Sequence, residues 1–399
     1  MKWGMDGFSK FLVAVLGVAV VAILAALFVA AGGSPRGPTS QNILGNPPGM
    51  TDRLDFMDSA EAWERGRRER LVVRPGQTPV LVMDETGDDF PRTARWTSAE
   101  TPTQFAFTEL LPSWNVSAPP ETGLKLEVRA RGKRSGKWTP WLYLGSWGRT
   151  AGEKVVSCRQ GAVHVDYLAL DAPAGAYQVR VEFQSFSLDR AVTPSVRRVA
   201  IAYSGVTGGH PETPPAQDWA RDLKVPFHTQ RDAPKPLAGE ICSPTSVTMV
   251  LGYWGVERPV VENALAIYDA ENEMFGNWGR AVARAGELGM DGWLTRFRDW
   301  GQVKAQIAAG QPVIASIRFK AGTFPSAVMR QTSGHLIVIR GFTPGGDVIV
   351  NDPASRERGN GAVYKADELA RAWFDNGGVA YVIRRPGGTP VAIGPSNKE

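Results

Sequence analysis

Between residues 70 and 206, apolar and polar residues alternate in eight short runs, each bounded by Gly, Pro, Asp or Ser. The runs are LVVRP, VLVMD, QFAFTEL, LKLEVRARG, WLYLGSW, VHVDYLAL, YQVRVEFQSF and VRRVAIAYS. A period of two is typical of β-strands with one buried face, and no helical stretch separates the runs. The pattern predicts an all-β domain over residues 61–206, a sandwich with jelly-roll-like connections.

This predicted β-domain is rich in tryptophan. Exposed indole rings can stack on sugars, so contact between the β-sandwich and a cell-wall glycan is one interpretation. The alternative, which we favour, is that the rings fill the core or cap strand edges. The residues concerned are Trp96, Trp114, Trp138, Trp141 and Trp147.

The segment 223–386 has a different pattern. Helical stretches follow Cys242 and recur near 260–268, 277–288 and 300–309. They are followed by the strand-like runs PVIASIRF, HLIVIRGF, DVIVND and VAYVIRR. Helices followed by an antiparallel sheet predict an α+β domain. Gly- and Pro-rich linkers are expected at 34–60 and 207–222, and a tail at 387–399.

The N-terminus predicts attachment to a membrane. Residues 11–31 contain no charged or strongly polar side chain, and Lys2 and Lys10 precede them. A run of this length is close to the ~20 residues of a membrane-spanning helix, and flanking lysines favour the cytoplasmic side. We therefore expect residues 1–33 to be an uncleaved anchor, or alternatively a signal sequence, with the folded part outside the cytoplasmic membrane.

Composition narrows the function classes. The net charge is +5 and the basic residues are spread along the chain, so nothing predicts a nucleic-acid partner. No phosphate-binding GxxxxGK[ST] loop occurs, and no group of residues has metal-ligand spacing, so we expect no cofactor and no metal. The two cysteines, Cys158 and Cys242, lie too far apart in the sequence to indicate a disulfide framework.

Cys242 lies in the segment GEICSPTSVTMVLGYWG, residues 239–255. Pro244 suits the first turn of a helix, and Gly255 suits its C-terminal cap. The prediction is a helix with a partly apolar face whose N-terminus lies at Cys242 or just after it. Free N–H groups at a helix start favour a thiolate, so Cys242 is the candidate nucleophile.

A thiolate nucleophile needs an acid–base partner. Of the four histidines, His335 opens the run HLIVIRGF, and Asp352 ends the next run, DVIVND. The turn Thr343-Pro344-Gly345-Gly346 between these runs predicts adjacent strands. His335 and Asp352 would then lie side by side, with Asp352 fixing the imidazole tautomer that faces Cys242. Each residue alone is also typical of an ordinary strand end or turn; their combination predicts a catalytic set.

Gln230, in the segment VPFHTQ, is a further candidate. Its amide could stabilise an oxyanion together with the backbone N–H of Cys242, although spacing alone does not distinguish it from a loop glutamine.

The ordered segments VPFHTQ, CSPTSVTMVLGYWG, GQPVIASI, GHLIVIRGF and VIVNDPA resemble the cysteine peptidases that process bacteriocin precursors with double-glycine leaders, and more closely their stand-alone bacterial relatives. The resemblance covers about 223–386 and implies a papain-like α+β domain. It also implies an oxyanion glutamine at Gln230, a nucleophile at Cys242, a base at His335 and an orienting carboxylate at Asp352.

The sequence therefore predicts an exported or membrane-anchored cysteine peptidase or amide hydrolase, a thiol protease of the bacterial cell envelope acting on a peptide or protein. Two alternatives remain open at this stage. One is a non-catalytic envelope protein that binds a glycan or a protein. The other is an acyltransferase that uses the same thioester chemistry.

Overall fold

The alternating runs of the N-terminal half form strands in the computed structural model, which describes residues 50–85, 90–206, 213 and 217–387. The predicted anchor at 1–33 and all but the first residue of the predicted tail lie outside these residues. Within the described ranges, no helix is long and apolar enough to cross a membrane. The strands of this half are β1 Met50–Met57, β2 Arg67–Glu69, β3 Leu71–Arg74, β4 Val80–Met83, β5 Arg92–Thr97, β6 Thr101–Ser117, β7 Thr122–Gly132, β8 Leu142–Gly148, β9 Ser157–Cys158, β10 Gly161–His164, β11 Tyr167–Ser185 and β12 Ser195–Val206, with one helix, α1 Ala60–Arg65.

Hydrogen bonds link these strands into one continuous antiparallel network, whose main path has the order β2-β5-β11-β6-β12-β4-β3. The 19-residue strand β11 makes this possible, because different parts of it pair with β5, β6, β7 and β10. Inward-facing side chains such as Phe107, Tyr177 and Ile201 form a shared core. The predicted β-rich half is confirmed, while its jelly-roll-like connectivity stays a prediction.

Several details of the N-terminal half differ from the sequence pattern. The short strands β2, β5 and β9 fall outside the eight runs. The run VHVDYLAL is split by a turn in which Val165 has a φ of 55°, and its second half joins YQVRVEFQSF in the single strand β11. Strand β1 falls inside the stretch 34–60 that was expected to be a linker, and it pairs along its length with β12. Its sequence MTDRLDFM carries too many charged residues to be recognised as a strand.

Most of these tryptophans are core residues, which is the interpretation that we favoured from the sequence. Trp96, Trp114 and Trp147 are buried. Trp138 and Trp141 are half-buried, and the guanidinium group of Arg129 lies over both rings, 4.6 and 4.7 Å from their centroids. The guanidinium group of Arg129 stacks on both half-buried rings, and glycan contact stays a prediction.

The C-terminal half is an α+β arrangement of five helices around one antiparallel sheet, in strand order β13-β18-β14-β15-β16-β17. The expected helices and strands are present. Three further elements, β13, β17 and α6, were not predicted. The elements are α2 Cys242–Tyr253, α3 Val260–Ile267, α4 Trp278–Glu287, β13 Asp291–Arg296, α5 Trp300–Ala308, β14 Val313–Phe319, β15 Thr332–Phe342, β16 Val348–Asn351, β17 Ala362–Tyr364, α6 Ala366–Trp373 and β18 Val379–Arg384.

Helix α2 differs from its prediction, because it is buried on all sides from Ser243 to Leu251 and not on one face only. Its hydroxyl side chains make this possible by bonding to the backbone: Thr245 and Thr248 each donate to the carbonyl four residues earlier, at 2.7 and 2.8 Å. A polar group without such a partner would destabilise the core. The helix ends as predicted, with Gly255 in the left-handed region at φ 85°.

The two halves are in direct contact, and the described residues belong to one compact unit. Asn115 on β6 makes a reciprocal pair of hydrogen bonds with the backbone of Gly292 on β13, at 2.8 and 3.1 Å. Ser113, also on β6, accepts from the N–H of Leu294 at 2.9 Å. Asp166, in the turn after β10, accepts from the N–H of Trp278 at the start of α4, at 2.6 Å. These contacts hold the C-terminal half on its β-rich neighbour.

Candidate active site

Cys242 is the first residue of helix α2. The preceding residue, Ile241, offers no side-chain cap, so the N–H groups of the first turn point towards the thiol end of the helix without a side-chain partner. The thiol is free and half-buried, as is that of Cys158. A positive helix end and partial access to solvent are the conditions under which a cysteine becomes a nucleophile.

Helix α2 is fixed against the strand that carries His335. Ser246, one turn after Cys242, donates to the carbonyl of Leu336 at 3.1 Å. The hydroxyl of Ser243 lies 3.1 Å from that of Tyr381 on β18. Because Leu336 is next to His335 in the chain, these buried bonds set the distance between the start of the helix and the imidazole.

His335 and Asp352 are neighbours, as the sequence pattern predicted. The strands β15 and β16 are joined by a turn in which Gly346 has a φ of 91° and its N–H bonds to the carbonyl of Thr343. His335 Nε2 lies 2.8 Å from Asp352 Oδ1, and both residues are buried, with 3% and 1% exposure. The other imidazole nitrogen, Nδ1, is not used in this bond, and the thiol of Cys242 is among the groups that raise the pKa of His335.

The electrostatics favour a charged imidazole. Burial alone would lower the pKa of His335, but the charge of Asp352, the hydrogen bond to it and the contact with Cys242 together raise that pKa to about 10. Burial would likewise raise the pKa of Asp352, and the His335 charge and hydrogen bonds hold it below its ordinary value of 3.8. The pair is therefore an imidazolium and a carboxylate at neutral pH.

Tyr364 belongs to the same cluster and was missed by sequence reasoning. Its hydroxyl donates to Asp352 Oδ2 at 2.6 Å and accepts from the N–H of Val328 at 3.2 Å. Burial and the nearby carboxylate raise the pKa of Tyr364, so it remains a donor. The N–H of Ala354 donates to Asp352 Oδ1 at 2.9 Å. The strand that carries Tyr364 has only three residues, AVY, and leaves no recognisable pattern.

Gln230 lies close to this cluster in a 3₁₀ turn, Gln230–Asp232. Its backbone N–H donates to the carbonyl of Pro353, the residue after Asp352, at 3.0 Å. Its side-chain amide is buried and donates to the carbonyl of Ala238 at 3.0 Å, while its Oε1 has no partner among the described residues. One amide hydrogen remains available, and the role of Gln230 as an oxyanion donor stays a prediction.

A cysteine at a helix start, with a buried imidazole and carboxylate behind it, is the kind of site that cysteine peptidases use. Residues 222–381 match the sequence model described as the Peptidase_C39 like family. Residues 53–204 match the model described as the Peptidase C39 N-terminal domain. The two matched segments correspond to the two halves of the chain, and together they support a C39 cysteine peptidase-like family. No curated protein matches the chain in sequence.

Some solved structures also match, at low similarity. One comes from a study of promiscuous specificity in β-sandwich carbohydrate-binding modules, with 11% identity and a TM-score of 0.20, covering 39% of this chain and 56% of that one. Another is a mutant of a family 29 carbohydrate-binding module, with 10% identity and a TM-score of 0.18, covering 40% of this chain and 94% of that one. The chain thus spans only about half of the first of these structures, and TM-scores this low establish neither a shared fold nor a shared ligand.

Proposed function

We propose that this protein is a cysteine peptidase with a papain-like C-terminal domain, in which Cys242 is the nucleophile, His335 the acid–base and Asp352 the orienting carboxylate. The observation that supports the proposal is the buried pair of His335 and Asp352, together with the bond from Ser246 to Leu336 that fixes the helix starting at Cys242 beside the His335 strand. The match to a peptidase family supports the same reaction class.

The chemistry follows from these contacts. The Cys242 thiolate attacks the carbonyl carbon of a peptide bond, and the negative charge moves to the carbonyl oxygen. The backbone N–H of Cys242 and the amide of Gln230 would donate to that oxygen. When the C–N bond breaks, the His335 imidazolium gives its proton to the leaving amine and a thioester remains. The neutral imidazole then takes a proton from water, which hydrolyses the thioester and restores the thiol.

We also propose that the protein acts outside the cytoplasmic membrane, held there by the apolar segment 11–31. The support is the length of that segment and the lysines that precede it. Extracting cell membranes with carbonate, and digesting intact spheroplasts with protease, would check this. A protein that is recovered in the soluble fraction, or that is protected inside intact spheroplasts, contradicts the proposal.

The two cysteines provide a matched test of the reaction. Both are free and half-buried, so Cys242→Ala and Cys158→Ala are comparable changes at different places. We expect Cys242→Ala to abolish hydrolysis of a casein or quenched-fluorescent peptide substrate, and Cys158→Ala to retain it. Equal activity in both variants would refute the assignment of the nucleophile.

Reactivity of the thiol can be measured before a substrate is found. Iodoacetamide modification of Cys242 is followed by mass spectrometry as a function of pH, in the full chain and in His335→Ala. We expect modification to remain fast well below about pH 8.5, the ordinary pKa of a thiol. In the variant, Cys242 should lose this reactivity at low pH. An ordinary thiol profile in both proteins would remove the catalytic interpretation.

A further inference from the structure

A groove of about 850 Å³ opens along strands β14 and β15, and its lining ends at Ser333, two residues before His335 in β15. Pairing of these strands places Ile317 opposite His335 and Phe319 opposite Thr332. Phe319, Thr332 and Ser333 line the groove. At about 3.3 Å per residue, the groove therefore begins about 7–10 Å from His335, the span of two or three residues of an extended peptide.

The charged side chains that line the groove are all positive. Arg318, Lys320 and Arg371 line it, and no Asp or Glu is among the described residues that form its walls. Lys320 is exposed and makes no ion pair within the described part of the chain. Arg371 pairs with Asp367 at 3.0 Å, but both side chains are more than half exposed. An ion pair between exposed side chains contributes little, so Arg371 can exchange this partner for another carboxylate.

The groove also has a fixed shape. Asn376 donates through its side-chain amide to the carbonyls of Arg318 and Arg371, at 3.1 Å each. The guanidinium group of Arg318 donates to the carbonyl of Ser333 at 3.0 Å. Phe319 and Ala372 are buried and supply an apolar floor. These bonds fix the backbone that carries Arg318 and Arg371, next to a surface that can also contact an aliphatic stem.

We infer that this groove recognises an acidic segment of the peptide substrate, with a Glu or Asp side chain two or three residues from the bond that Cys242 attacks. The inference rests on the proposed peptidase function for the position of that bond. A substrate carboxylate in the groove meets Lys320, which is unpaired within the described residues, and it can replace Asp367 as the exposed partner of Arg371, while no acidic side chain in that part of the chain lines the groove. A Glu side chain also has methylene groups that suit the apolar floor.

The test uses the full chain and quenched-fluorescent peptides in which one Glu or one Gln is moved through the three positions on either side of the cleaved bond. We expect Glu to raise kcat/KM about fivefold to tenfold at two or three residues from that bond, because each exposed ion pair changes affinity about twofold to fivefold. The preference should weaken as salt is raised from 50 to 500 mM, since added ions screen such pairs.

Reversing the charge of groove residues tests whether the groove causes the preference for Glu peptides. Lys320→Glu and Arg371→Glu should each lower kcat/KM for the Glu peptides relative to the matched Gln peptides, so that the preference for Glu is lost. Lys137→Glu, at an exposed lysine of the β-rich half, makes the same change in net charge and should keep the preference. A preference that survives Lys320→Glu and Arg371→Glu, or an absence of preference while cleavage depends on Cys242, overturns the inference and leaves the proposed function standing.

Binding can be measured without turnover. Fluorescence anisotropy of a fluorescein-labelled Glu-Glu-Leu-Glu peptide is followed with the Cys242→Ala full chain, alone and combined with Lys320→Glu. We expect binding that is at least fivefold weaker in the combined variant, and weaker for the Gln-Gln-Leu-Gln peptide. If Cys242 proves inert, this measurement still tests whether the groove prefers acidic peptides. Equal binding of both peptides refutes the acidic specificity.

Discussion

Replacing Asp352 by Asn removes the buried negative charge beside His335 and keeps the size of the side chain. In the native protein the pKa of His335 is about 10 against an ordinary 6.5, a difference of about 3.5, or roughly 5 kcal/mol in favour of the charged imidazole. Without the carboxylate, burial dominates and lowers the pKa below 6.5. The protonated fraction of His335 at pH 7 then falls from nearly all molecules to less than about a quarter.

The hydrogen bonds around Asp352 add a second effect. Its Oδ1 accepts from His335 and Ala354, and its Oδ2 accepts from Tyr364. An Asn amide has one oxygen, so no orientation of the side chain satisfies all of these donors. Either the Tyr364 hydroxyl or the Ala354 N–H loses its acceptor, which costs about 1–3 kcal/mol of folding free energy.

The assay is the pH dependence of Cys242 alkylation by iodoacetamide, with kcat/KM on a peptide substrate as a second readout. For Asp352→Asn we expect alkylation at pH 6 to slow about tenfold or more and kcat/KM to fall about 10²-fold, because both the thiolate and the proton donor depend on a charged imidazole. The variant remains folded at 25 °C by circular dichroism. An alkylation profile that coincides with that of the native chain would show that Asp352 does not set the charge of His335.

Three further predictions follow from the same contacts. Tyr364→Phe removes one donor to Asp352 and the acceptor of the Val328 N–H, so we expect kcat/KM about 5–10-fold lower, the acid limb of the pH–rate profile shifted upward and a loss of about 1–3 kcal/mol in unfolding free energy. The raised pKa of His335 contributes stability that is complete below pH 6.5 and is lost as the pH rises towards about 10. The lowered pKa of Asp352 contributes stability above pH 3.8 that is lost as the pH falls below that value. In urea titrations, the difference in unfolding free energy between the native chain and His335→Gln should therefore be largest between about pH 4 and 6.5 and shrink at alkaline pH. Asn115→Ala removes two buried hydrogen bonds to Gly292, and we expect a loss of about 2–3 kcal/mol in the urea midpoint analysis; a loss below 0.5 kcal/mol would mean that the contact between the halves is held by packing alone.

The sequence predicted the residues that adjoin strong local signals. Cys242 was found because Pro244 and Gly255 bracket a helix. His335 and Asp352 were found because a Gly-rich turn lies between two apolar runs. Each signal spans a few residues, and the fold brings the marked positions together. Their catalytic roles stay predictions until the variants are measured.

The missed features depend on contacts that local patterns do not encode. Tyr364 lies on a strand of three residues, and its role is visible only through Asp352. Strand β1 was assigned to a linker because its alternation is masked by Asp52, Arg53 and Asp55. The hydrogen bonds of Asn115 with Gly292 connect positions 177 residues apart, a relation that periodicity cannot show.

The contact between β6 and β13 has a consequence for the edge of the six-stranded sheet. Strand β13 is the outermost strand of the six-stranded sheet, so one side of its backbone has no strand partner in that sheet. An uncovered strand of this kind is a template for pairing with other chains. Here the side chains of Ser113 and Asn115 occupy the N–H groups of Leu294 and Gly292 and the carbonyl of Gly292. The β-rich half therefore shields the edge of the C-terminal sheet from pairing with a strand of another molecule. A fragment that begins at residue 217 would expose β13 as an unpaired edge strand that is prone to aggregation.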